Sequence, residues 1–205
     1  IEMKDGVSLY MDSNAVLKAN SANTTGLEHC VINIHDVKDV SVKGGQIIGS
    51  ESVGDCHGVG IYDSTNVTIA DIKISKNTQD GIYIGTNHPS AKGTFNSGIV
   101  VTGCNSSNND RHGLAIVAAD GVKISKCTFS SAPTNRTGLE IEPFAGYLPC
   151  RNITADSCVM QNNDFGFSIY GGNGTVGKVT LSNCTISGNK MYQILVYKAT
   201  ATVNG

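Results

Sequence analysis

Acidic and basic side chains recur in or beside one short strand-like motif of this chain. Glu140 and Glu142 lie two residues apart within one copy, while Asp80 and the pair Arg111-His112 directly precede two others. Glycoside hydrolysis uses two carboxyl groups, about 5–5.5 Å apart for retention of configuration and about 6.5–9.5 Å apart for inversion. Two positions along a strand span about 7 Å. The glutamate pair therefore predicts an inverting geometry, with Asp80 further along the face and His112 able to bond one acid and shift its pKa.

The same surroundings allow a second chemistry, β-elimination on a uronate. Arg111 or Arg136 would neutralise the sugar carboxylate, and His112 or a tyrosine would remove the C5 proton. Tyr83 or Tyr170 would protonate the leaving oxygen. A bound calcium ion could replace an arginine. Both chemistries stay open at the level of the sequence.

The motif that carries these residues is a pentad that recurs six times. Its first members lie 23, 32, 25, 28 and 27 residues apart, which is one coil of a stacked structure for each step. The copies are Gly58–Tyr62, Gly81–Gly85, Gly113–Val117, Gly138–Glu142, Gly166–Tyr170 and Gln193–Tyr197.

A second strand-like repeat lies between the pentads, and in four copies it ends at a cysteine. Each coil thus supplies at least two short strands, and equivalent positions stack about 4.8 Å apart. The sequence predicts an all-β chain folded as a single-stranded, right-handed parallel β-helix of about six coils. Residues 1–205 form one domain in this prediction, with residues 1–35 as an N-terminal capping coil.

Stacking also predicts two internal columns. An asparagine lies four residues before the pentad in four coils, which favours a ladder of side-chain amides. The ladder residues would be Asn77, Asn109, Asn162 and Asn189. The cysteines at the second repeat would form an inward thiol column of Cys104, Cys127, Cys158 and Cys184. Seven cysteines without a CxxC pair argue against a disulfide framework or a zinc site.

The remaining pentad positions predict a cleft. The second and fourth residues are apolar and fill the core, so the third and fifth project outward and form a groove with the two residues before the pentad. We predict the catalytic residues Asp80, His112, Glu140 and Glu142. We predict the substrate-binding residues His57, Tyr62, Tyr83, Arg111, Arg136 and Tyr170. No metal ligand is assigned.

The charge and hydropathy of the chain argue against some classes of binding partner. Lys+Arg 15 against Asp+Glu 17 leaves a net charge of −2 without a basic run, which argues against nucleic acid or an anionic membrane. No stretch reaches the roughly 20 apolar residues of a membrane span, and the start lacks the layout of a signal peptide. The chain opens on Ile1 directly before a strand-like run, which predicts that it is a piece of a longer protein.

The coils resemble a known family. The segments DGIYIG from Asp80, NDRHGLAIV from Asn109 and TGLEIEP from Thr137 are similar to the pectate-lyase-like β-helix proteins of bacteria and bacteriophages, over nearly the whole chain. The opening residues IEMKDGVSLYMDSNAVLKA resemble the first coil of phage-associated members. This resemblance implies a polysaccharide partner, an extracellular or virion-associated location and a homotrimer.

One coil motif is more specific. The run from Asn109 to Gly113 is similar to a motif of mannuronan C-5 epimerases, which implies that Arg111 and His112 meet a substrate. Those epimerases would carry Tyr, Asp, His and Asp where this chain has His57, Gly60, Tyr62 and Gly85. A uronate C-5 epimerase is therefore the weakest of the enzymatic readings.

We expect a polysaccharide-degrading enzyme, a glycoside hydrolase or a polysaccharide lyase, of the kind found in phage depolymerases. It would need no cofactor, apart from the calcium ion considered above. The alternative is a non-catalytic module of a tail fibre or spike that only holds glycans. A β-helix supports either role, so the fold does not decide between them.

Overall fold

The computed structural model describes residues 1–19, 29–50, 56–86, 95–131, 136–172, 174–199 and 202–204. These residues form three sheets in which every strand pairs in parallel with the equivalent strand of the next coil. The described part of the chain contains no helix, and so none that could cross a membrane.

The first sheet has eight strands in chain order: β1 (Ser8–Tyr10), β4 (Lys38–Lys43), β7 (Thr65–Ala70), β10 (Ser97–Thr102), β13 (Ala119–Ser125), β16 (Cys150–Asp156), β19 (Val179–Ser182) and β22 (Thr202–Asn204). The second sheet has seven: β2 (Val16–Lys18), β5 (Gln46–Ile48), β8 (Lys73–Ser75), β11 (Asn105–Ser107), β14 (Thr128–Ser130), β17 (Val159–Gln161) and β20 (Thr185–Ser187).

The third sheet, which we call the cleft sheet, contains the pentads. Its strands are β3 (His29–His35), β6 (Cys56–Tyr62), β9 (Ile82–Gly85), β12 (Leu114–Ile116), β15 (Thr137–Ile141), β18 (Phe165–Tyr170) and β21 (Tyr192–Tyr197). Six steps lead from β3 to β21, so the prediction of a parallel β-solenoid of about six turns is confirmed. Residues 1–35 supply the first strand of each sheet.

The core lies between the three sheets. The second and fourth pentad residues stack in register, for example Leu114 on Leu139 and Leu139 on Phe167, and all three are buried as predicted. The second sheet contributes Ile74 and Phe129 from strands whose other residues are polar. Alternation along each strand therefore fills one interior.

The thiol column is confirmed. Cys104, Cys127 and Cys158 are buried and Cys184 is half-buried, and all seven cysteines are free. Each column thiol bonds backbone carbonyl oxygens, as Cys127 does to Ser125 at 3.2 Å.

The amide ladder exists with one member corrected. Asn77 donates to Asn109 at 2.7 Å, and Asn163 donates to Asn189 at 3.2 Å. The predicted Asn162 instead occupies the preceding bend with φ of 59°. Its coil has one residue fewer between bend and pentad than the coils of Asn77, Asn109 and Asn189, so counting four residues back from Gly166 reaches the bend.

Left-handed residues shape the bends between sheets. Between the first and second sheets the stacked bend residues are Gly44, Asp71, Gly103, Lys126, Ser157 and Asn183, all with positive φ. Asn, Asp and Gly tolerate this region best, which explains their abundance in the sequence.

Connection lengths differ between the corners. From β4 onward, two residues join each strand of the first sheet to the second sheet in every coil. The connections entering the cleft sheet vary from 3 to 10 residues, and those leaving it vary from 2 to 11. After the first coil, length variation is thus confined to the two borders of the cleft sheet.

Candidate functional site

Three columns of side chains project from the cleft sheet. In the coils of β15 and β18, the third and fifth pentad positions and the residue directly before the pentad face the cleft as predicted. In earlier coils some of these positions are covered, such as Ala115 and Val117, each 1% exposed. The pentad glycine makes the outward-facing arrangement possible because its Cβ direction points into the structure: a Cβ on Gly138 would lie 2.9 Å from Asn163 Nδ2 and 2.8 Å from the Gly166 carbonyl oxygen. The first and second pentad residues thus both point inward, and the residue before the pentad lies on the cleft side.

Asp80 lies beneath the cleft surface and is fully buried. Its Oδ1 accepts the backbone N–H of His112 at 2.9 Å, and its Oδ2 lies 3.3 Å from His57 Nδ1 and 3.5 Å from Arg111 Nη1. Burial alone would raise the pKa of Asp80, but His57, His112 and Arg111 lower it to about 2. Asp80 is therefore a buried carboxylate that fixes its neighbours, a role the sequence did not distinguish from direct catalysis.

His112 is buried and neutral near pH 7. Burial lowers its pKa to about 4, and Arg111 and Arg136 act in the same direction against the attraction of Asp80. The backbone N–H of Thr137 donates to Nδ1 at 3.1 Å. A neutral imidazole that accepts at Nδ1 carries its proton on Nε2. His112 therefore offers a hydrogen-bond donor rather than a base, and it does not bond Glu140 through Nδ1.

Glu140 is the buried acid that faces the cleft. Only 6% of the residue is exposed, and Ser168 Oγ donates to its Oε2. Thr137 Oγ1 lies 3.2 Å from Ser168 Oγ, which extends the network. Burial raises the pKa of Glu140 to about 7, and the negative charges of Glu142 and Asp80 add to the effect of burial. A carboxyl group with this pKa holds a proton to donate near neutral pH.

Glu142 follows Glu140 at the cleft rim and stays partly exposed. Burial raises its pKa, while Arg111, whose Nη2 lies 3.8 Å from Oε2, lowers it. Arg111 thus spans from Asp80 to Glu142. Arg136 Nε donates to the backbone carbonyl of Asp110 at 3.0 Å, which holds a second cation at the same rim.

The predicted aromatic contacts separate into two groups. His57 stacks on Tyr83 with ring centroids 4.7 Å apart, and Tyr62 lies 5.3 Å from Tyr83. Gly85 makes room for Tyr83, because a Cβ there would lie 2.6 Å from the phenol oxygen. Tyr62 is only 3% exposed, which limits its contact with any substrate. Tyr170 lies on the other side of the glutamates and is 39% exposed.

An open cavity of about 330 Å³ joins part of the predicted site. Its lining includes the predicted residues Arg111, His112, Arg136, Glu140, Glu142 and Tyr170. His57, Tyr62, Asp80 and Tyr83 lie outside this lining, towards the first coils. The lining also includes Thr137, Phe165, Ser168 and Leu195, which the prediction did not name as catalytic or binding residues. All four occupy positions that the pentad pattern assigned to the groove, so the pattern located them but gave no signal of their role.

A cation would find few free ligands in this cavity. Among the described residues, the group that brings three candidate ligands within 4.8 Å of one another is His35, Asp36 and Asp63, at the stacked ends of β3 and β6. It contains none of the cleft carboxylates. Asp80 is already held against Arg111, and Glu142 is 3.8 Å from the same guanidinium. Two of the cleft carboxylates are thus paired with the Arg111 guanidinium.

The chain belongs to the right-handed β-helix family, since the family model "Right handed beta helix region" matches residues 2–135 and 56–205. A curated relative is the SPbeta prophage-derived uncharacterized protein YorA of Bacillus subtilis (strain 168). It is 22% identical over 222 residues, which cover 96% of this chain and 36% of YorA. The chain thus spans about a third of this relative's length.

Solved structures share the fold. The A-module of the mannuronan C-5 epimerase AlgE4 from Azotobacter vinelandii has a TM-score of 0.73 at 17% identity, over 100% of this chain and 62% of that module. Pectate lyase Pel9A has a TM-score of 0.65 at 14% identity, over 92% of this chain and 47% of the lyase. Identities this low show the fold alone. The pectate-lyase-like β-helix predicted from the sequence is confirmed, and it is a fold shared with enzymes that act on polysaccharides.

Proposed function

We propose that this chain is a polysaccharide-degrading enzyme of the glycoside hydrolase type, acting in the cleft around Glu140. The observation that carries the proposal is a buried, hydrogen-bonded carboxyl with a pKa of about 7 that lines an open cavity beside a second carboxylate. Such a pair, with the two acids in different environments, is the arrangement that divides acid and base roles.

In the proposed reaction Glu140 donates its proton to the leaving glycosidic oxygen. Glu142, held by Arg111, activates a water molecule that attacks the anomeric carbon from the opposite side. The C–O bond to the leaving sugar breaks as the bond to water oxygen forms, and the proton of water passes to Glu142. Spacing of about 7 Å along the strand supports inversion.

Elimination on a uronate is the second candidate, because Arg111 and Arg136 both line the cavity and would bind a sugar carboxylate. The neutral His112 with its proton on Nε2 weakens this candidate, since a base needs a free nitrogen. Retained glycan binding without any turnover would instead support a non-catalytic module of a fibre or spike.

A polysaccharide panel tests the proposal. We expect reducing ends to appear without the ultraviolet absorbance of an unsaturated product, and we expect Glu140→Gln to lower turnover about 10²- to 10⁴-fold. Asp156→Asn is the matched control, because this partly exposed carboxylate lies on the first sheet, away from the cleft. Unsaturated products would favour a lyase, and full activity of Glu140→Gln would refute the assigned acid.

The location and assembly of the protein are further proposals. The prophage origin of YorA supports an extracellular or virion-associated setting for this chain. A homotrimer is proposed on the resemblance alone, and sedimentation of the protein would test it.

A further inference from the structure

The last two coils of the cleft sheet carry aromatic rings that the proposed reaction does not use. On one side Phe165 stacks with Tyr192, with centroids 5.9 Å apart and planes 15° apart. On the other side Tyr170 stacks with Tyr197, at 4.9 Å and 18°. We call these four rings, with Ser168 and Leu195 between them, the aromatic trough.

The strand register sets this geometry. Phe165 pairs with Tyr192, Ser168 with Leu195 and Tyr170 with Tyr197 across β18 and β21, so each pair belongs to one outward column. The two aromatic columns are five residues apart along the strand, which separates their backbones by about 16 Å. The shorter Ser168 and Leu195 between them leave a concave floor.

The rings of the trough stay accessible although they are paired. Tyr170, Tyr197 and Tyr192 are 39%, 41% and 52% exposed. Tyr170 has a coil stacked on each side and remains exposed because its column points away from the helix interior. Exposed tyrosines in parallel pairs provide rigid apolar surface with a polar hydroxyl tip.

The trough is continuous with the reactive cavity and differs from it in charge. Phe165, Ser168, Tyr170 and Leu195 line the same cavity as Glu140. The other end of that cavity has the cations Arg111 and Arg136. None of the six trough side chains is charged. Lys198 Nζ lies 5.2 Å from the centroid of the Tyr197 ring, at the edge of the trough. The cleft therefore changes from two guanidinium groups to a largely aromatic surface as it passes the glutamates.

We infer that the aromatic trough is a binding site for one or more uncharged sugar rings, on the β21 side of the bond that is cleaved. The inference rests on the proposed function for the position of that bond. The C–H faces of a sugar ring would lie against the tyrosines, while an anionic group of the substrate would lie at the arginines. A polysaccharide that is acidic on one side of the cleaved linkage and neutral on the other side then fits the cleft in one direction only.

The test uses single changes in the trough within the Glu140→Gln protein, so that binding is measured without turnover. Tyr192→Ser and Tyr197→Ser should each weaken the binding of neutral oligosaccharides about three- to tenfold in saturation-transfer NMR and affinity electrophoresis. Tyr197→Phe should retain binding within about twofold, because the ring remains. Tyr10→Ser is the matched control, since Tyr10 is 71% exposed on β1 of the first sheet and should have no effect.

The outcomes separate this inference from the proposed function. Unchanged affinity when Tyr192→Ser or Tyr197→Ser is added to the Glu140→Gln protein, together with an active wild type, would overturn the trough and leave the hydrolase. Tyrosine-dependent binding without turnover by the wild type would support the trough and overturn the hydrolase. Absence of binding to every glycan of the panel would overturn both.

Discussion

Replacing Glu140 by glutamine should stabilise the protein at neutral and alkaline pH while it removes activity. The folded protein raises the pKa of this carboxyl from an ordinary value of 4.5 to about 7 because the group is buried. A raised pKa means that the folded state binds the proton more tightly than the unfolded state. Stability contributed by the protonated group is complete below about pH 4.5 and is lost as pH rises through about 7.

The magnitude follows from the two pKa values. At about 1.4 kcal/mol per pKa unit, the cost of ionising Glu140 in the fold approaches about 3 kcal/mol above pH 8. Glutamine keeps the shape, can accept the hydrogen bond from Ser168 and does not ionise. Glu140→Gln should therefore exceed wild type by about 2–3 kcal/mol at pH 8. This gain should be absent at pH 4.

Urea unfolding of the wild type and of Glu140→Gln at pH 4, 6 and 8 measures this difference in the free energy of unfolding. Groups that titrate alike in the two proteins do not contribute to the difference. Glu142→Gln is the matched control, because that carboxyl is partly exposed and lies next to Arg111. We expect a much smaller pH-dependent gain there. A Glu140→Gln protein with the same stability difference at all three pH values would refute the claim that burial controls this acid.

Three further changes probe the framework of the site. Asp80→Asn should lower the free energy of unfolding by about 2 kcal/mol above pH 4, because the folded pKa of Asp80 is about 2 against an ordinary 3.8. In denaturation curves this loss should fade as the pH falls to 2. Gly138→Ala should destabilise the stack in the same assay, since the new Cβ would lie 2.8 Å from backbone and 2.9 Å from Asn163; a melting temperature equal to wild type would contradict it. A chromogenic thiol reagent should reach all seven cysteines in urea but leave Cys104, Cys127 and Cys158 unreacted in the native protein, and rapid native reaction of these three would exclude the buried column.

The repeating part of the fold was readable from the sequence because its signal is periodic. The pentads predicted the register of Leu114, Leu139 and Phe167, and the aligned cysteines predicted their own column. The second sheet was harder to recognise. Its strands are three residues long and often polar. Lys73–Ser75 contains one apolar residue and Asn105–Ser107 contains none, so the apolar signal is weak.

The site was predicted less completely, because depth and hydrogen bonding are not periodic. Asp80 directly precedes a pentad and Glu140 belongs to one. Only the structure shows that Asp80 is a carboxylate held by Arg111, whereas Glu140 is a buried acid that accepts a hydrogen bond from Ser168. Asn162 shows a related limit, since a single deletion between bend and pentad moves a column by one residue.

The corner between the first and second sheets keeps one length in nearly every coil, whereas both borders of the cleft sheet tolerate segments of very different size. Insertions and deletions can therefore accumulate beside the cleft without altering the stacked interior. A lineage built on this scaffold can remodel the rim of the cleft by changing those borders, and a protein engineer can graft new loops there while leaving the coils untouched.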